Sequence, residues 1–276
     1  MTSVPPAPDS PITAEYADLT PLQARITAHR LFSEHPDNPD AAVRSVLGLP
    51  SDHDLLDVGC GTGEFLHSLA DARHGGQLTG VDTSADAVQA TQSASGVEAW
   101  CATATELPFS DAVFDCVTAR HMLYHVDDPA LAVTEAQRVL RAGGQFAATV
   151  NHREVAPRTM NLVRSVVQDA GLSTHAELTN DIHSDTLPLL VEEVFGNVAI
   201  QRFDNALLFP GAEDLASYAV ALLSFCGVAP EAPLRGQLAD EVKERCRQWF
   251  ADHPGTGWRD EKGYILCSAH VRTAGQ

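Results

Sequence analysis

The sequence predicts an α/β protein built on a largely parallel sheet with helices on both faces. Three observations lead there: short apolar runs alternate with helical stretches from 54 to 151, three glycines crowd the turn after the first run, and an aspartate closes the second. Ligands of such sheets sit at the carboxyl ends of the strands, so the glycine turn is the first place to look for function.

Residues 1–11 hold four prolines and little to bury, and are expected to form a disordered tail. Residues 12–50 read as an N-terminal helical cap segment, in which Thr20-Pro21 and Asn38-Pro39 each pair a capping side chain with a first-turn proline. The main domain is expected over 51–276. DLLDV (54–58) is its first strand, a helix covers 62–73, QLTGVD (77–82) is the second strand, and Ser84 caps the helix in SADAVQATQ. VEAWC (97–101) and VFDCVTAR (113–120) follow as strands; Asp128-Pro129 opens the helix PALAVTEAQRVL, and RAGG turns the chain into QFAATVN (145–151). Beyond 151 the pattern loosens. DTLPLLVEEVFG reads as a helix capped by Ser184 or Asp185 and stopped by Gly196, and VAIQRF (198–203) and GYILCSAHV (263–271) read as strands. Helical stretches at 212–225 and 234–251 fall in a cap insertion over roughly 204–262.

With 276 residues, 44% of them hydrophobic, the chain can bury a sizeable core. A formal charge of -19 opposes any nucleic-acid partner, which needs a basic stripe. The six cysteines show neither CxxC nor a Cys/His ligand spacing, so they read as small buried hydrophobes and no metal site is expected. MTSVPPAPDSP has no basic n-region, and no apolar run approaches bilayer length. The expectation is a reduced, cytoplasmic protein with a small-molecule substrate and no membrane partner.

In LLDVGCGTGEF (55–65), Gly59, Gly61 and Gly63 leave backbone N–H groups bare at a helix N-terminus. A dinucleotide site needs GxGxxG; here the spacing is GxGxG, with Glu64 where the third glycine would fall, which disfavours an NAD-dependent oxidoreductase. Asp82, closing the second strand, is placed to accept hydrogen bonds from both hydroxyls of a ribose, since Ser84 is available to cap the next helix.

LLDVGCGTG, GVDTS, ATATELPFSDAVFD, ARHMLYHVDDP and RVLRAGGQFAATV, in this order, resemble the successive motifs of the class I S-adenosylmethionine-dependent methyltransferases, in the small-molecule branch called type 11. The likeness covers 54–151. It implies a Rossmann-like sheet of seven strands with the last antiparallel, S-adenosyl-L-methionine as cofactor, and methyl transfer to a small, secondary-type metabolite. By the same likeness Asp57 and the three glycines line the methionine moiety, Asp82 and Thr83 the ribose, and Thr103 and Ala104 the adenine. Arg120 meets the cofactor's amino group through its backbone carbonyl. Thr103 departs from the family, which usually has an acidic residue there to accept from the adenine amino group. Tyr16 lies in the segment that folds over the cofactor in similar enzymes, with its hydroxyl available to the cofactor carboxylate.

A sulfonium methyl is already a strong electrophile, so transfer is a single displacement that needs an aligned nucleophile. A general base matters when the acceptor is a phenol or an acidic carbon. His121 and His152, directly after strands four and five, are the candidate bases; Tyr124, one helical turn past His121, and His183 and Trp258 are candidate substrate contacts. Two further readings share the cofactor: RNA methylation, which the charge opposes, and a protein of the same fold that catalyses a rearrangement or cyclisation, or senses the cofactor.

Overall fold

The computed structural model describes residues 20–175 and 180–273; the expected tail and Tyr16 lie outside them. Strands β1 (Leu55–Val58), β2 (Leu78–Asp82), β3 (Val97–Cys101), β4 (Phe114–Arg120), β5 (Leu140–Asn151), β6 (Ala199–Phe209) and β7 (Trp258–His270) form one sheet ordered β3-β2-β1-β4-β5-β7-β6. The first five pair in parallel, and β7 runs antiparallel to β5 and β6. This is the Rossmann-like, mostly parallel sheet expected, last strand reversed. The order changes direction between β1 and β4, and that switch point opens a crevice at the strands' carboxyl ends.

Alternation along each strand divides the core between the two faces. Leu56, Val58, Val117, Ala119, Ala148, Val150 and Cys267 pack with α5 (Pro129–Val139) and α7 (Leu187–Phe195). Leu55, Cys116, Ala147 and Leu266 point the other way, toward α2 (Pro39–Leu47) and α3 (Glu64–Asp71). A separate apolar cluster joins α1 (Thr20–Phe32), α6 (Pro157–Asp169), α8 (Ala212–Val220) and α9 (Arg235–Asp252) to the ends of β6 and β7 through Ala28, Val163, Phe209, Tyr218, Val242 and Trp258.

Local signals place most boundaries. Asn38 accepts the Ala41 N–H at 2.9 Å, Asp128 accepts that of Leu131 at 2.9 Å, and Ser84 accepts that of Ala87 at 3.3 Å to open α4 (Ala85–Thr91). Gly196 ends α7 at φ +67. The start of α7 differs from expectation. Neither Ser184 nor Asp185 caps it; Thr186 holds the cap position, but its hydroxyl is used inside the preceding turn, donating to the Asp181 carbonyl at 2.6 Å. Helix α6, absent from the sequence reading, opens on Pro157 in its first turn; Ala156 precedes it at φ +49 with no side-chain cap, its N–H donating to the Glu261 carbonyl of β7. The β6–β7 ladder extends to Phe209 and Trp258, so the helices between those strands occupy 210–257.

Candidate active site

The turn leaving β1 is a run of left-handed glycines: Gly59 at φ +68, Gly61 at +55 and Gly63 at +80. Their tasks differ. A Cβ at Gly59 would stand 2.7 Å from the Met122 side chain, and one at Gly63 2.8 Å from that of Thr91, whereas at Gly61 nothing lies within 4 Å. Two glycines therefore permit close packing, and Gly61 alone borders open space. Asp82 reaches into this turn from β2: one oxygen accepts the Gly61 N–H at 2.9 Å and the other the Ser84 N–H at 2.9 Å. Its carboxylate is half-buried beside exposed Thr83. Across the crevice Thr103 is exposed, its hydroxyl 3.1 Å from that of Thr105, and Ala104 is buried.

Asp57 sits deeper than a direct ligand contact requires. It is 0% exposed; one oxygen accepts Thr118 Oγ1 at 2.7 Å and Arg120 Nε at 3.2 Å, and the other accepts Arg120 Nη2 at 2.8 Å. The Arg120 side chain, which the sequence left unassigned, is the group Asp57 presents. Its guanidinium lies 4.3 Å from the centre of the Phe65 ring, and Nη1 donates to Asp40 of α2 at 2.6 Å. Burial acts against its charge, but Asp57 and Asp40 outweigh that and raise its pKa. Arg120 and Asp40 together set a cation and an anion at the end of β4, the complement of an amino acid's zwitterionic end. With Asp82 ready for a diol, this donor set fits the adenosyl cofactor.

His121 follows Arg120 in a left-handed conformation, φ +51, a strained geometry that costs on the order of 1–3 kcal/mol and clusters at functional sites. Its ring meets Tyr264 edge-on at 6.0 Å. Burial, reinforced by Arg120, lowers its pKa to about 4, so it is neutral at pH 7. Tyr124 does not share this face: a short 3-10 turn at Leu123–His125 replaces the helix assumed for it, and its ring packs against His125 at 4.6 Å.

His152 lies apart from the glycine turn. It lines a cleft of about 570 Å³ with His35, Ser184, Arg202, Asn205 and Lys262, among others, and none of the glycines, Asp57 or Asp82 borders that cleft. Gly263 has no Cβ because the imidazole occupies that space. Burial and Arg202 lower the pKa of His152, and its Nε2 stands 3.5 Å from Asp204. His183 is tied to its own turn, with Nε2 3.2 Å from Asp181. Trp258 is core rather than cap: 5% exposed, it donates to Thr159 Oγ1 at 3.1 Å and meets Trp249 edge-on at 4.9 Å.

Sequence reasoning missed the groups around His121. Lys262, one of only two lysines in the chain, is buried and pairs with Asp37 at 2.8 Å, and burial together with the charge of Asp37 raises the pKa of Tyr264. Lys262 closes the charged run Arg259–Lys262, and nothing in that run sets it apart as a buried lysine.

Residues 56–148 match a family described as a methyltransferase domain. The O-methyltransferase resE of Aspergillus sclerotiorum is 32% identical over 53% of this chain. The chain spans 62% of that relative's length and about half the length of other curated methyltransferases it matches. Among solved structures, a protein of Bacillus halodurans C-125 described as a methyltransferase superposes with TM-score 0.56 at 21% identity, covering 85% of this chain and 99% of that one. The cyclase SpnF superposes with TM-score 0.60 at 20% identity, over 99% of this chain and 100% of its own. Identities this low show a shared fold alone; residues 56–148 match the methyltransferase domain, and over that stretch the chain is similar to the class I S-adenosylmethionine-dependent methyltransferases.

Proposed function

We propose that this protein transfers the methyl group of S-adenosylmethionine to an oxygen of a small metabolite. The observation that carries the reading is the turn at Gly61, bare toward open space, with Asp82 of β2 accepting the Gly61 N–H. The cofactor supplies an electrophilic methyl group. The chain's residues bind and orient: Asp82 accepts the ribose hydroxyls, Thr103 and the Ala104 backbone meet the adenine, and Arg120 with Asp40 receives the amino-acid end. His121, neutral at pH 7 and one residue past Arg120, is the candidate base. O-methyltransferases among the relatives support oxygen as the acceptor atom, and the charge of -19 supports a substrate other than nucleic acid. We also propose a cytoplasmic location, supported by five buried cysteines with free thiols. No helix among the described residues is long and apolar enough to cross a membrane.

Calorimetric titration with S-adenosylhomocysteine and with NAD tests the cofactor assignment; binding of NAD alone refutes it. Asp82→Ala is expected to weaken S-adenosylhomocysteine binding by roughly 1.5–3 kcal/mol, the range for charge-assisted hydrogen bonds. Unchanged affinity in a folded variant removes the ribose role.

A further inference from the structure

Strand β7 changes character along one face. Cys267 and Ile265 pack in the core with α7, and further along the same face Glu261 and Arg259 are exposed. The change falls at Gly263, where the His152 imidazole fills the space of a Cβ. Arg202 and Asp204 of β6 lie on that face too, opposite Ile265 and Gly263. Segments 152–154 and 184–185 wall this floor to make the cleft of about 570 Å³ that His152 lines, a volume inside the roughly 300–1,000 Å³ of small-molecule sites. Such sites are mostly apolar, but this lining holds no hydrocarbon side chain among the described residues. It sets four arginine or lysine side chains against five carboxylates. Some of these charges serve the protein: Arg259 pairs with Glu34 at 2.9 Å, and Arg202 with Asp204 at 3.0 Å. Arg153, Glu154 and Glu261 are exposed in the cleft, and among the described residues their side chains form no hydrogen bond or ion pair. The cleft also lies near the candidate cofactor site. Glu34 in its wall and Asp40, which holds Arg120, are six residues apart, so at most about 20 Å of chain separates them.

Resting on the methyltransferase reading above, we infer that this cleft holds an uncharged, polyhydroxylated part of the methyl acceptor, a sugar or a cyclitol, while another part of the acceptor reaches the cofactor. The lining selects the class. A ligand entering the cleft takes water from Arg153, Glu154 and Glu261 and must return a hydrogen bond to each, because a charge left desolvated and unpaired is costly. A flat apolar ring returns none. A polyanion meets the five carboxylates, and a polycation meets the four cations. Each hydroxyl of a sugar both donates and accepts, so neighbouring hydroxyls answer a guanidinium and a carboxylate at once. The planar, two-pronged ends of Arg153 and Glu261 also suit a vicinal diol, two bonds at a time. These residues bind and select; no bond is made or broken in the cleft.

The test is equilibrium binding to the full chain, with and without S-adenosylhomocysteine, read by saturation-transfer NMR and calorimetry. The probes are methyl β-glucoside, methyl α-mannoside, methyl β-galactoside and myo-inositol, set against 1-naphthol, spermidine and citrate. At least one of the four polyols is expected to bind, and none of the other three compounds to displace it. Arg153→Leu and Glu261→Leu each remove an exposed side chain that pairs with no described protein group, so both should fold as the wild type does. Each should weaken the bound polyol by about tenfold or more, the loss of one charge-assisted hydrogen bond, with S-adenosylhomocysteine affinity unchanged. No binding by any of the four polyols, displacement by naphthol, spermidine or citrate, or a smaller loss in either variant overturns the inference. Failure to bind S-adenosylhomocysteine would instead overturn the methyltransferase reading, while polyol binding to the free chain still decides what the cleft holds.

Discussion

Gly61 and Arg120 do the least visible and the most consequential work at the level of single residues. A hydrogen at Gly61 keeps open a space that a side chain would fill, on a backbone at φ +55. Gly61→Val meets no protein atom at its Cβ, so its structural penalty is the left-handed backbone, roughly 1–2 kcal/mol. It should stay folded at 25 °C and lose the thermal shift that S-adenosylhomocysteine confers; a folded variant with the wild-type shift shows that the cofactor lies elsewhere. Arg120 neutralises a carboxylate with no access to water. Arg120→Met strands the Asp57 charge and should cost about 3–5 kcal/mol in urea denaturation. The Asp40 side chain is 42% exposed, so Asp40→Asn should cost under about 1 kcal/mol. Equal losses would mean that the bond to α2, rather than the one to Asp57, holds Arg120.

Among the elements, helix starts were legible wherever the cap acts on its own backbone. Asp128, with Pro129 at the first turn, opens α5, which packs against the sheet through Ala132, Val133, Ala136 and Val139. Asp128→Ala should cost about 1 kcal/mol without moving the fold, read as a lower urea midpoint with an unchanged slope. The same logic fails at α7, where Ser184 looks like a cap but its hydroxyl instead accepts the Arg153 N–H at 3.3 Å. It fails again at α6, where no side chain caps the start and the Ala156 N–H donates to Glu261 of β7. Both cases lie after β5, where a side chain's partner comes from a distant part of the chain and spacing carries no record of it. Tyr124 belongs here too: helical spacing suggested a shared face with His121, but the left-handed turn at His121 sends the two rings to different neighbours.

For the whole molecule, two neutral histidines, His29 and His121, set a pH dependence. An imidazole whose folded pKa is about 4 against a free value of 6.5 is harder to protonate folded than unfolded. The unfolded state then binds more protons between these values, so stability is full above pH 6.5 and is lost as pH falls toward 4. The loss should be on the order of 2 kcal/mol per histidine. Asp115 and Glu135 titrate below their ordinary carboxylate range, so a fall between pH 6.5 and 5 belongs to the histidines. Urea midpoints across pH 7.5–4.5 check this, and His29→Gln should flatten the curve.

The sequence by itself determined the parallel sheet, the glycine turn and the likeness to methyltransferases over 56–148, because strand alternation, turn glycines and helix caps are local and repeat at short spacing. Even there it credited all three glycines to the ligand, while packing against Met122 and Thr91 claims two of them. Only the tertiary structure decided that Asp57 acts behind Arg120, that Trp258 is core, and that His152 lines a cleft bordered by none of the glycines. It alone paired Asp37 with Lys262, 225 residues apart. The physical reason is the antiparallel return of β7: it lays the chain's last strand against β5 and beneath the N-terminal helices, pairing charges that no local pattern connects.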